Sequence, residues 1–308
     1  MSLIIVGAGI TGSLISNTLK KHNIKHSIFE KSLSHGRMST KDLNGAKIDI
    51  GAQFFTVRSP VFQSVVDEWI SKGLVKKWTN GFPPKNDNYP RYCGINGMMS
   101  IVSHYSGEEL IRTKVSQIKY ENDCLVVDNK SSKLVVMTQP IPQALELCKD
   151  VLDTKDVEYL STLSYYPCIT LYFNSSVHIS ESGAYQHKGE VIDFICSNFK
   201  KGISTEHVIT LHCSPKFSEA HFNYTTNDIL AIVAKDLYSI YPTMDINSAV
   251  VHKWKYAQPK YPSTEPFYSA RIGKDCEILF AGDQFCNSKI EGACLSALAT
   301  AKYLLKLI

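Results

Sequence analysis

The chain opens on an unbroken apolar run, Leu3-Ile4-Ile5-Val6, which predicts a strand buried on both faces. Glycines at 7, 9 and 12 follow it. Beyond them Leu14, Ile15, Thr18 and Leu19 recur at helical spacing and end in Lys20-Lys21, residues that suit a helix C-terminus. A short apolar strand, Ser27-Ile28-Phe29, then runs into Glu30. The helical period returns at Val65, Val66, Trp69 and Ile70 and stops near Gly73, and Gly97-Met98-Met99 opens another short helix. The polar stretch 81–90 between them reads as a loop at a domain edge.

From Lys114 the spacing shortens. Segments 115–120, 125–128 and 134–137 read as a small β-meander with turns at Glu121-Asn122-Asp123 and Asn129-Lys130-Ser131-Ser132, returning to the first unit at Thr138-Gln139-Pro140. Runs at 169–173, 191–196, 208–213 and 250–254, with a helix over 227–240, predict a separate sheet-based cap. The chain ends in a buried strand at 277–280, then Ala281-Gly282-Asp283, a polar loop at 284–289 and a long helix to Leu307.

The order strand, glycines, helix, strand, acid points to nucleotide chemistry. Gly7 permits the tight turn, Gly9 lets the backbone approach a pyrophosphate, and Gly12 lets helix and strand pack closely. The helix N-terminus then faces the phosphates. Glu30 lies about 20 residues on, where a carboxylate accepts hydrogen bonds from an adenosine ribose and would repel a 2′-phosphate. Arg37 either closes its planar fork over the pyrophosphate or is a solvated loop residue. Gly51-Ala52 before Gln53 and Phe54 suits the lining of a ring-binding pocket, and equally a buried turn. Asp283 at a strand end suits a polyol or phosphate, and the small first turn at Gly292-Ala293 lets a planar ring lie against a helix N-terminus; alone, that segment would read as a packing helix. Two nucleotide-contact signals at opposite ends of one chain suit FAD better than NAD.

Composition narrows the class. The 308 residues are 44% hydrophobic and 20% charged, with a formal net charge of +4, as expected of a globular protein with a real core. No basic run suggests nucleic acid, and no apolar run is long enough to span a membrane. Nine cysteines without C-x-x-C spacing predict reduced thiols rather than disulfides or zinc, and no histidine pair suggests a metal. The apolar N-terminus lacks a basic region and carries the first strand, so it is not read as a signal peptide, and a cytoplasmic location is expected.

The segments Val6-Gly7-Ala8-Gly9-Ile10-Thr11-Gly12-Ser13-Leu14, Gly36-Arg37-Met38-Ser39-Thr40 and Asp49-Ile50-Gly51-Ala52-Gln53-Phe54-Phe55-Thr56 resemble the flavoprotein family of amine-oxidase and p-hydroxybenzoate-hydroxylase-like folds. Thr138-Gln139-Pro140-Ile141-Pro142, Lys253-Trp254-Lys255-Tyr256-Ala257-Gln258, Ala281-Gly282-Asp283 and the run from Glu291 to Leu298 extend the resemblance, most closely to its renalase-like branch. The implied fold is α/β, a Rossmann-type FAD-binding domain of the GR2-like kind (1–52, 98–152 and 262–308) with a discontinuous mixed-sheet substrate or cap domain (53–97 and 153–261). The implied contacts to non-covalent FAD are Gly7, Gly9, Thr11, Gly12, Glu30, Arg37, Met38, Gln53, Phe54, the Val115 backbone, Gly282, Asp283, Gly292 and Ala293. His35 stands where the family has a second glycine before the arginine. Renalase-like enzymes oxidise 2- or 6-dihydro isomers of NAD(P) by hydride transfer to flavin N5, with O2 reduced to hydrogen peroxide. The implied partners are therefore a small dinucleotide substrate and O2, and unconventional export, proposed for some relatives, stays open. Trp254 and Tyr256 are the substrate-positioning candidates, with core packing the blander reading of each. Two alternatives remain, an amine oxidase of the same fold and a non-enzymatic binding module like the GDP-dissociation inhibitors.

Overall fold

The computed structural model describes residues 3–32, 36–43 and 45–308, so the His35 position lies outside the described residues. Six strands form the central sheet in the order Tyr268–Ile272, Cys276–Phe280, Leu134–Met137, Leu3–Val6, His26–Phe29, Leu110–Ile111. Every neighbouring pair is parallel except the first. Helices cover one face, and the unbroken apolar run is explained because the opposite face is covered too. Leu3 and Ile5 pack with the helices Ile10–Lys21, Pro60–Ser71 and Lys289–Leu307. Ile4 and Val6 pack on the other side with helix Ile141–Cys148 and the small antiparallel sheet.

That small sheet corrects one expectation. Its third strand is the polar Lys130–Ser132, read from sequence as a turn, and not 134–137. Leu134–Met137 is instead the central strand beside Leu3–Val6. A three-residue polar edge strand leaves no alternation to detect, whereas Leu-Val-Val-Met is apolar throughout because both its faces are covered.

The cap carries a five-stranded sheet, ordered Ala184–Gln186, Ile192–Ser197, Val208–Cys213, Tyr165–Asn174, Val250–Pro259. Its pairings are all antiparallel, so the sheet that mixes directions is the central one. Alternation sorts its side chains. Ile169, Leu171, Ile209 and Leu211 pack on helix Thr226–Ile240, capped by Thr225. Tyr172, Val208 and Trp254 face the other way and pack on Ile48 and Ile50. The edge strand Val250–Pro259 has one irregularity: Tyr166 pairs with Gln258 and Cys168 with Trp254, so Pro167 alone opposes residues 255–257. Proline has no N–H to donate, and the unpaired residues swell out of the ladder as a bulge.

A buried ion pair joins cap to central unit. Lys201, in the turn after Ile192–Ser197, places Nζ 2.6 Å from Asp49 Oδ2, and both side chains are fully buried. Burial disfavours the Lys201 charge, but Asp49 outweighs it and the ammonium pKa is raised. Asp49 Oδ1 accepts from the Met98 N–H at 2.8 Å and from Thr40 Oγ1 at 2.5 Å. Asn198 and Thr210 of the cap bond the Asp49 backbone at 3.2 and 3.0 Å. Among the described residues, no helix is long and apolar enough to cross a membrane, and all nine cysteines are free thiols.

Two predictions follow from this network. Lys201→Met strands the Asp49 carboxylate, so denaturant unfolding should show a loss of about 3–5 kcal/mol, with a smaller loss when Asp49→Leu is added. His212, on the same sheet face, is held neutral by burial and by Lys201, with its pKa pushed down to about 4. The unfolded chain takes up that proton near pH 6.5 and the folded one only near 4, so stability should fall as pH drops through this window, and His212→Gln should flatten the fall.

Candidate functional site

Four adjacent parallel strands end together. Phe29, Val6, Met137 and Phe280 lie side by side in register, so the residues after them, Glu30, Gly7, Thr138 and Ala281, share one rim. This rim is the crevice at the carboxyl ends of the strands, where open α/β sheets bind ligands. Gly7 turns the chain with φ +102°, and Thr138 Oγ1 supports that turn by donating to the Gly7 carbonyl at 2.7 Å. A Cβ at Gly12 would lie 2.0 Å from the Gly7 carbonyl oxygen, so only glycine lets helix Ile10–Lys21 come this close. Gly9 differs: a Cβ there would meet nothing within 4 Å, because this side of the backbone faces open space.

That space is a cleft of about 520 Å³. Gly7, Gly9, Thr11 and Glu30 line it together with Arg37, Met38, Ala52, Trp254, Tyr256, Asp283 and Ala293. A smaller cavity of about 300 Å³, walled by Phe29, Lys114, Val115 and Leu147, adjoins it and shares Gly7, Glu30 and Gln139. Gly282 and Gly292 are not in the lining. Gly282 adopts φ +145° and donates its N–H to Ser296 Oγ at 3.0 Å, and Gly292 sits where a Cβ would press to 2.8 Å from the Cys286 carbonyl.

Several expected contacts are committed elsewhere. Arg37 and Asp283, both expected to meet a ligand singly, are bound to each other by two parallel bonds of 2.6 Å. Burial disfavours the Arg37 charge, but Asp283 outweighs it and raises the guanidinium pKa. Arg37 also reaches the Ala257 carbonyl at 3.3 Å, on the bulge opposite Pro167. Gln53 is buried outside the cleft: its Nε2 donates to the Asp49 and Gly51 carbonyls, and its Oε1 accepts from Lys201. Phe54 packs against Phe82 and Phe194 and does not line the cleft. Trp254 Nε1 donates to the Ile50 carbonyl at 3.0 Å, and the Tyr256 ring meets Tyr165 edge-on at 5.9 Å. Glu30 accepts from the Ala8 N–H at 2.9 Å and from Ser32 N–H and Oγ at 2.8 and 2.9 Å. Thr11 Oγ1 donates to the Ala293 carbonyl at 3.1 Å, tying the first helix to the last.

Sequence reasoning missed Thr138, Gln139 and Lys201 as individual residues. Asp49 carried a signal, a charge inside the apolar Ile48–Ile50 run, but Lys200-Lys201-Gly202 looks like a solvated turn. A long dinucleotide fits these residues on two grounds: the open side of Gly9, and a Gln139 amide whose buried Nε2 and Oε1 have no partner among the described residues. Among those residues no group of three or more His, Cys, Asp or Glu side chains is placed to hold a metal ion.

Comparison with known proteins agrees with the geometry. Residues 5–69 match the profile described as NAD(P)-binding Rossmann-like domain, and residues 106–305 match that of flavin containing amine oxidoreductase. Renalase from Mus musculus is 25% identical, with 99% of each chain covered. Cyclohexylamine oxidase from Brevibacterium oxydans IH-35A superposes with a TM-score of 0.68 at 11% identity, covering 99% of both chains. Putrescine oxidase bound to putrescine gives 0.68 at 12%, again over 99% of both. At such identities the two structures share the fold.

The two glycines should separate in a test. Gly9 has extended φ and ψ of −72° and −175°, so Gly9→Ala is expected to keep the melting temperature of the cofactor-free protein yet bind the dinucleotide at least about tenfold more weakly, as read by flavin fluorescence. Gly12→Ala should lower the melting temperature of the cofactor-free protein itself.

Proposed function

Because the chain belongs to the flavin containing amine oxidoreductase family and its cofactor is FAD, we propose that it oxidises dihydro isomers of NAD(P), reduced at the 2- or 6-position of the nicotinamide, with dioxygen as the electron acceptor. The adenosine half would be held at Glu30 and Val115, the pyrophosphate at Gly9, Thr11 and Arg37, and the flavin ring near Met38, Ala52 and Ala293. When bound, FAD supplies the hydride acceptor, at N5, and the route by which the electron pair reaches dioxygen to give hydrogen peroxide.

The observation that carries this reading is the charge of the cleft. Lys31, Arg37, Lys253, Lys255 and Lys289 line it against only Glu30 and Asp283, an excess of 5 − 2 = 3 positive charges. An FAD pyrophosphate offsets two of them and leaves the cleft attractive to a second phosphate-bearing molecule and repulsive to an ammonium. The side chains that remain have a positioning task. Trp254 is pinned by the Ile50 carbonyl and by the His252 ring 4.4 Å away, so it presents a fixed plane. The bulge opposite Pro167 brings Tyr256 to the same wall. Two flat, fixed aromatic surfaces suit holding a planar nicotinamide in near-attack geometry. No proton leaves the ring with the hydride, so an acid–base pair is not required.

An amine oxidase, whose aromatic cage positions a neutral amine, would share the fold, but an amine is mostly protonated in neutral solution and in that form meets the wrong sign of charge on its way in. Anaerobic mixing of the yellow protein with 6-dihydro-NAD should bleach the flavin rapidly, while ordinary NADH and amines leave it oxidised. Bleaching by an amine, with the dihydro isomers inert, would overturn the proposal. A purified protein with no flavin would instead favour a binding module.

A further inference from the structure

Gln139 leaves the central strand Leu134–Met137 at the rim, between Thr138 and the Pro140 that precedes helix Ile141–Cys148. It lines both the long cleft and the smaller cavity, at the junction that also contains Gly7 and Glu30. Both atoms of its amide are buried, and neither has a hydrogen-bond partner among the described residues. An amide can donate two bonds and accept two, and leaving such groups unpaired costs about 1–3 kcal/mol each. A fold retains that cost where a ligand meets the demand.

The surrounding groups narrow what the ligand offers. Glu30 only accepts and is turned to Ala8 and Ser32, while Lys31 and Lys114 only donate. Two amides at this junction, Gln139 and Gln143, bring a donor and an acceptor together in one plane, and of the two it is Gln139 whose amide atoms are both buried without a partner among the described residues. An adenine edge is its complement, an amino donor beside a ring-nitrogen acceptor. Phe29, Val115 and Leu147 supply the apolar walls that a purine ring needs in the same cavity.

We infer that Gln139 reads the adenine of the dinucleotide, its amide pairing with the 6-amino group and N7, an edge on which hypoxanthine offers two acceptors and no donor, and so selecting adenine over hypoxanthine. This rests on the placement of the adenosine half at Glu30 and Val115.

The test titrates flavin-stripped protein with ADP, with IDP, whose base replaces the amino donor by a carbonyl, and with FMN. Wild-type protein should favour ADP over IDP by about tenfold or more. Gln139→Met should bind the two equally and weakly, release FAD faster from holoenzyme on dilution, and leave FMN affinity unchanged. Its melting temperature without ligand should stay level or rise, because two unpaired polar atoms are gone. A residue with only a packing role would lower that temperature and weaken all three ligands together, which overturns the inference, as would preference for ADP surviving in Gln139→Met. Wild-type protein that binds FMN but not ADP would overturn the adenosine placement itself. The dihydronicotinamide reading is judged separately, by bleaching of the holoenzyme.

Discussion

The approach of the first helix to the turn before it governs most of what surrounds the cleft. With a Cβ at Gly12 only 2.0 Å from the Gly7 carbonyl, the helix axis is set by a contact that no other residue permits. From that axis Thr11 reaches the Ala293 carbonyl of the last helix, and the N-terminal end of the chain meets its C-terminal end. The open side of Gly9 and the free N–H groups of the first turn then face the same space as Asp283 and Ala293. A two-residue steric condition thus joins segments nearly 300 positions apart in sequence into one wall.

The opposite wall is built on different physics. Pro167 withholds one hydrogen bond, the edge strand swells at residues 255–257, and Tyr256 and Ala257 come to the cleft while Trp254 is held against Ile50. Arg37 links the walls, bound to Asp283 on one side and to the Ala257 carbonyl on the other. Its position depends on both the strand ends and the bulge.

Local patterns carried much of this into the sequence. The run Leu3–Val6, the glycine spacing and Glu30 were legible because each obeys a rule that acts within about 30 residues. Leu134–Met137 was recognised as a strand but placed in the wrong sheet, since an apolar tetrapeptide says that both faces are covered without saying by what. The Arg37–Asp283 and Lys201–Asp49 pairs were not legible, because charge complementarity across 246 and 152 positions leaves no local trace. Gln53 shows the converse: an amide beside a glycine pair looks like a ligand contact, yet a buried lysine elsewhere in the chain claims it.

The Lys201–Asp49 pair also bears on how the cap moves. Swinging the cap away as a rigid lid would pull apart two fully buried charges and, with them, the bonds that Asn198 and Thr210 make to the Asp49 backbone, so this contact ties cap and central unit into one moving body.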